Sequence, residues 1–281
     1  MSYLIEMNND IFLQELSIII KNYLSDIQSE LKIRWNNWEV EYEKKELYEV
    51  TGGLLSRHIH LTTYFLQSST NWNSDFAGIF LRVLVEAHLN LAWILKEDSL
   101  NRAKQFIEYG LGQEKLLREK YKLALEKDGK LEQFKEAFKK EEHYWNQERY
   151  NYLTNINLGG WAGISAYQMA KEIGDEDFYN IVYSPFSNSV HSTWNHIIKF
   201  NVERSKNPLH GHIKVPSFKL LSPDIHYVEL TAKYLQMSFD VADKAFPLKI
   251  SIESSREKLL SEIDRLTEKM RAAINTKGES E

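Results

Sequence analysis

The chain contains no cysteine. That excludes disulfides, thiolate nucleophiles and cysteine-ligated zinc, and it fits a cytoplasmic setting. Breakers are scarce: 5 prolines and 12 glycines in 281 residues. Long segments are left unbroken, which favours helices. Neither sign of charge dominates, with a net charge of -5 and a pI near 6.0. Without a global basic field, nucleic acid would have to be held by a local patch. The most apolar stretch, LRVLVEAHLNLAWIL, is interrupted by Arg82, Glu86 and His88, so no membrane span is expected. The opening residues MSYLIEMNND lack the basic start of a signal peptide. Also missing are H-E-x-x-H, G-x-x-x-x-G-K-S/T, G-x-G-x-x-G and G-x-S-x-G. Protease, P-loop, Rossmann and α/β-hydrolase readings lose their main support.

Helical periodicity fills the space these absences leave. Asn8, Asn9 or Asp10 is expected to cap a first helix, whose apolar residues recur from Ile11 to Trp35. Further helices are expected over about 49–67, 76–96 and 98–127, with Gly52 and Gly53 weakening the start of the first of these and Ser74 or Asp75 capping the second. From Gln113 to Tyr150 ten basic and nine acidic residues alternate, the mark of a solvated helical hairpin that breaks near Asp128-Gly129. NINLGGWAG, 155–163, reads as a loop. Two short helices follow, with Gly174 closing one and Asp175 capping the next. Residues 203–223 form a long irregular segment with a short β-ribbon within HIKVPSFKL, and a helix spans 224–246. Ile252, Leu259, Ile263, Leu266 and Met270 lie near heptad spacing, so the last helix is expected to pair with a partner, in a homodimer. The expected fold is an all-α helical bundle over 1–250 with a projecting charged hairpin, a C-terminal heptad-like helix over 251–275 and a disordered tail over 276–281.

Two polar stripes stand out. Arg82, Glu86 and Asn90 follow at i, i+4 and i+8 in a helix apolar nearly all round. Arg and Glu are seldom buried without partners, so a second polar surface should face them. YSPFSNSVHSTWNH, 183–196, supplies one. If Ser184-Pro185 breaks the chain and Ser187 starts a helix, Ser184, Ser187, His191 and Asn195 recur on one face. Arg82 would then hold a phosphate or oxyanion, His191 would be general acid or base, and Glu86 would orient one of them. Tyr183, Ser187, Asn90 and Asn195 would contact the substrate. The bland alternative is an ion pair that fixes helix register and does no more.

Other clusters carry less. His58 and His60 point apart on a helix, and the His210-Gly211-His212 loop would hold a metal only if His226 or Asp224 joined it, so neither a metal nor a cofactor is expected. Trp35, Trp38, Trp145 and Trp161 read as packing residues.

The order R-x-x-x-E (Arg82, Glu86), W-x-x-x-S (Trp161, Ser165), Y-x-x-x-Y (Tyr179, Tyr183) and S-x-x-x-H (Ser187, His191) resembles the bacterial all-helical domain of unknown function family 5677, over about residues 40–200. The resemblance implies a helical bundle of unassigned role, some relatives of which sit beside defence genes. A second resemblance is to HEPN ribonucleases, through R-x5-H at Arg82 and His88. It departs in having Val83 after the arginine. On a continuous helix Arg82 and His88 also lie about 120° apart, which makes His191 the better partner. The resemblance implies a metal-independent RNA-cleaving effector of a defence or toxin system. The alternative is a non-catalytic helical module that binds a partner protein or nucleotide.

Overall fold

A computed structural model describes residues 2–149 and 159–278, with side chains over 11–140 and 159–273. The architecture is the expected helical bundle. α1 (Ser2–Asn37), α2 (Lys45–Leu66) and α3 (Ala77–Lys96) are followed by the hairpin of α4 (Ser99–Lys127) and α5 (Leu131–Arg149). Short helices α6 (Ala166–Ile173) and α7 (Glu176–Phe178) lead through a π-turn (Tyr179–Tyr183) into α8 (Ser184–Val190), and α9 (Trp194–Phe200) follows. β1 (Val202–Arg204) pairs antiparallel with β2 (Lys214–Pro216); the expected ribbon lay wholly within HIKVPSFKL, which supplies only the second strand. α10 (His226–Ala245) and α11 (Ser255–Gly278) complete the fold.

α3 is the central helix and packs against α2, α6, α8 and α10. It is 20 residues long with a mean hydropathy of 1.5 over its most apolar 18, and so by length and composition could cross a membrane, which corrects the expectation that no segment would be long and apolar enough. In this fold Leu81, Leu84, Val85, Leu89 and Ile94 are instead buried in the core with Leu55, Phe65, Leu235 and Phe239. Burying each such side chain stabilises the fold by about 1.5–3 kcal/mol relative to exposure.

Several local expectations are revised by packing. α1 starts at Ser2, so 8–10 lie inside the helix and not at its start. α2 runs from Lys45 through both glycines; at Gly52 a Cβ would come 2.6 Å from the Trp35 ring, so the glycine admits an indole. α3 starts after Phe76 without a side-chain cap, and Asn73 Oδ1 instead accepts the N–H groups of Asp75 and Phe76. The apolar seam of α11 is occupied from within the chain: Leu259, Ile263 and Leu266 are buried and α11 lies along α1. Salt bridges Lys258–Asp26 (2.7 Å) and Lys269–Glu15 (2.6 Å) show the two helices to be antiparallel. The heptad spacing therefore marks an intramolecular pair. The hairpin turns at Gly129 as expected. Residues 155–158 of the expected loop, the Trp145 side chain and the end of the tail fall outside the described residues.

Candidate functional site

Gly78, Arg82, Glu86 and Asn90 are spaced four apart on α3, and the helical run from Glu176 to Val190 lies across them. Pro185 sits in the first turn of α8, and the chain does not break there as expected. Proline has no N–H to give to the preceding turn and its ring crowds that carbonyl. The helix widens into the π-turn just before it, with the Ser184 N–H bonding to the Tyr179 carbonyl, and then continues. Such one-residue expansions are frequent at functional sites.

The seam is built around Arg82. Its Nη1 donates to Glu86 at 2.6 Å and its Nε donates to Ser187 Oγ at 3.2 Å. Its guanidinium carbon lies 3.2 Å from the centre of the Tyr183 ring, a cation–π contact. Tyr183 stacks on Tyr179 at 4.8 Å, and Tyr167 meets Tyr179 edge-on at 5.4 Å. One cation and three phenol rings thus form a row. Burial raises the Tyr183 pKa, as does the nearby Glu86 carboxylate, while Arg82 opposes both. Arg82 is 15% exposed, but Glu86 is 52% exposed, so the pair is open to solvent on its carboxylate side. Two turns away Asn90 Oδ1 accepts from Trp161 Nε1 at 3.3 Å, and Trp161 packs edge-on against Trp93 and Phe106. Ser165 caps α6 in a capping box with Gln168.

Of the predicted site residues, Arg82, Glu86, Tyr183 and Ser187 come together, and Asn90 joins the same stripe through Trp161. Ser184, His191 and Asn195 do not. α8 ends at Val190, and Ser192 turns left-handed at φ 47°. The break cancels the i, i+4, i+8 register on which the expected stripe depended. Ser184, His191 and Asn195 are exposed, and none of them touches Arg82.

The histidine that does reach this seam is His196. Its Nε2 lies 2.7 Å from Asp75 Oδ1 and its Nδ1 lies 3.2 Å from Ser189 Oγ. Asn201 donates to the other oxygen of Asp75 at 3.1 Å. A carboxylate, an imidazole and a hydroxyl are therefore aligned, as in a nucleophile relay. Yet Ser189 Oγ presses on the start of α3, 2.3 Å from where a Cβ on Gly78 would stand. Its hydroxyl meets backbone, which suits a clamp fixing the α8–α9 turn to α3. No periodic pattern marks it in the sequence, because its three members lie on separate elements.

His88 lies elsewhere. Its Nδ1 is 3.1 Å from Ser238 Oγ, which is also 3.1 Å from His58 Nδ1. Both imidazoles are buried; desolvation lowers His88 to about 4, and desolvation together with His88 lowers His58 to about 3. The R-x5-H pair diverges: Arg82 faces α8 and His88 faces α2 and α10. His210 and His212 are exposed, and no metal-binding cluster occurs among the described residues.

The fold and seam define an all-helical bundle whose arginine-centred polar stripe is closed by a π-widened helix. The matching family is the Family of unknown function (DUF5677), over residues 48–208. This is more than half of the chain, and the chain belongs to that family. The match takes in α3 and α8, both walls of the seam, and leaves out α1, α10 and α11. No curated protein and no solved structure matches the chain.

Proposed function

We propose that this protein is a non-catalytic helical module that binds a nucleotide at the α3–α8 seam, with Arg82 taking the phosphate. The carrying observation is that Arg82 is held rigidly by Tyr183 and Ser187, whereas its carboxylate partner is half out in water. An exposed ion pair contributes only about 0–1 kcal/mol, so Glu86 is easily displaced. A phosphate would take the place of Glu86 on a planar cation suited to bidentate contact. Tyr167, exposed at the end of the Tyr183–Tyr179–Tyr167 row, offers aromatic surface to a base, at about 1–3 kcal/mol per stack. Binding is favoured over RNA cleavage because the expected cleavage chemistry uses a histidine as acid or base beside Arg82. Among the described residues, none contacts Arg82: His88 faces the opposite side and His191 ends its helix in solvent.

Calorimetric titration with nucleoside mono- and triphosphates tests this. Wild type should bind at least one. Arg82→Ala should bind at least tenfold more weakly, and Glu86→Gln severalfold more tightly. No nucleotide binding, or RNA cleavage that His191→Ala abolishes, would overturn the proposal.

A further inference from the structure

Behind α3, on the side away from Arg82, a cavity of about 470 Å³ opens between the C-terminal halves of α3 and α10 and the turn after α6. Its walls are mostly apolar: Ala92, Leu95, Ile173, Met237, Val241 and Ala245. Two lysines, Lys96 and Lys244, and two aspartates, Asp175 and Asp240, also line it, so its charges balance. A fully charged ligand gains little from such a set. The inner surface includes one polar side chain, that of His88, which is 3% exposed.

The tautomer of His88 follows from its neighbours. Ser238 Oγ donates to the Tyr234 carbonyl at 3.2 Å and lies 3.1 Å from Nδ1 of both His58 and His88. A hydroxyl has one proton and two lone pairs. With its proton given to Tyr234, its oxygen accepts from both imidazoles. Each ring therefore carries its proton on Nδ1, and each Nε2 is a bare acceptor. His58 Nε2 is sealed in the core without a partner. His88 belongs to the ring that lines the cavity, and its Nε2 has no hydrogen-bond partner among the described residues.

From this we infer that the cavity is a binding site for a neutral, mostly apolar small molecule that carries one N–H or O–H donor, which it gives to His88 Nε2. Small-molecule sites have this composition: an apolar enclosure with a few placed polar groups that fix orientation. The low basicity of the buried ring supports the assignment, since it keeps the imidazole an acceptor at neutral pH. A ligand that displaces water from His88 Nε2 without a donor of its own leaves that acceptor unsatisfied, which makes a donor-bearing ligand preferable to a purely apolar one. The inference is independent of the nucleotide reading, because it uses the opposite side of α3.

Indole and 1-methylindole are the probes. They share a ring system and differ in the single N–H. Binding to the intact chain is followed by ligand-observed NMR, with His88 Nε2 monitored by its imidazole 15N shift. Indole should bind and move that shift, and 1-methylindole should bind at least tenfold more weakly. Val241→Phe fills the cavity from a partly exposed position and should abolish indole binding while the fold persists by circular dichroism. If His88→Phe also folds, it should bind both probes alike. Equal binding of both probes to wild type, indole binding unaffected by Val241→Phe, or no binding of indole at all would each overturn the inference.

Discussion

Arg34 and Arg82 are built from the same parts and do opposite things. Each pairs with a glutamate four residues away on its own helix at 2.6 Å. Each lies over an aromatic ring, Phe239 at 4.0 Å for Arg34 and Tyr183 at 3.2 Å for Arg82. At Arg34 every group is then used again. Asp243 takes Nε and Nη2 at 2.9 Å each, and the other oxygen of Glu30 accepts the Ser255 N–H at 2.6 Å. Arg34 and Glu30 are 3% and 5% exposed, and three helices, α1, α10 and α11, are tied at one point. Burial works to lower the Arg34 pKa, but the bonds to Asp243 and Glu30 outweigh it and hold it above its ordinary value. At Arg82 the second carboxylate is replaced by a hydroxyl, and the first stays half in water. A lock and an open site thus differ in whether the carboxylates have further partners. The family match covers only the open one.

The strongest way to break this comparison is to remove the lock. Arg34→Met should leave Glu30 buried and uncompensated and cost about 3–5 kcal/mol by urea unfolding. If the loss is under 1 kcal/mol, Arg34 is no lock. A comparable loss should come from acid, and from neither arginine. His58 and His88 have folded pKa values near 3 and 4, below the unfolded 6.5. The unfolded chain therefore takes up protons that the folded chain refuses. The stability they contribute is full above about pH 6.5 and is lost as pH falls toward 4 and 3, by roughly 2 kcal/mol per histidine between pH 7 and 5. Unfolding free energies that stay flat from pH 7 to 5 would contradict their burial as neutral rings. The smallest effect sharpens the contrast: Arg82→Ala should cost only about 1–2 kcal/mol, the sum of an exposed ion pair and a cation–π contact. A loss as large as that of Arg34→Met would make the seam a second lock.

The spacing of Arg82, Glu86 and Asn90 carried the seam legibly, because one helix face is fixed by 3.6-residue periodicity. Its facing wall was half legible. Tyr183 and Ser187 lie on one helix, but His191 and Asn195 depended on that helix continuing, and the left-handed turn at Ser192 has no strong signature in a non-glycine residue. Pro185 pointed to a break where the chain in fact widens, since proline marks a missing bond but not how a helix absorbs it. The Glu30–Arg34 lock was hidden, because its partners Asp243 and Ser255 lie more than 200 residues away. The α11 seam was read correctly as apolar, but spacing does not say whether the matching helix belongs to the same chain.

The π-turn has one consequence for how this chain tolerates change. The turn holds one residue more than an α-helical turn would, and Ile181 within it is exposed and anchors little. Deleting Ile181 would wind Tyr179 through Tyr183 back to ordinary pitch. The wider turn takes up its extra residue at almost unchanged total rotation, so everything downstream would keep its facing toward α3. Ser187 would stay at Arg82 and Ser189 at the notch of Gly78, whereas a deletion inside α8 itself would swing the residues beyond it by about 100°. The π-turn thus behaves like a slack link, where the number of residues can change by one without turning the seam.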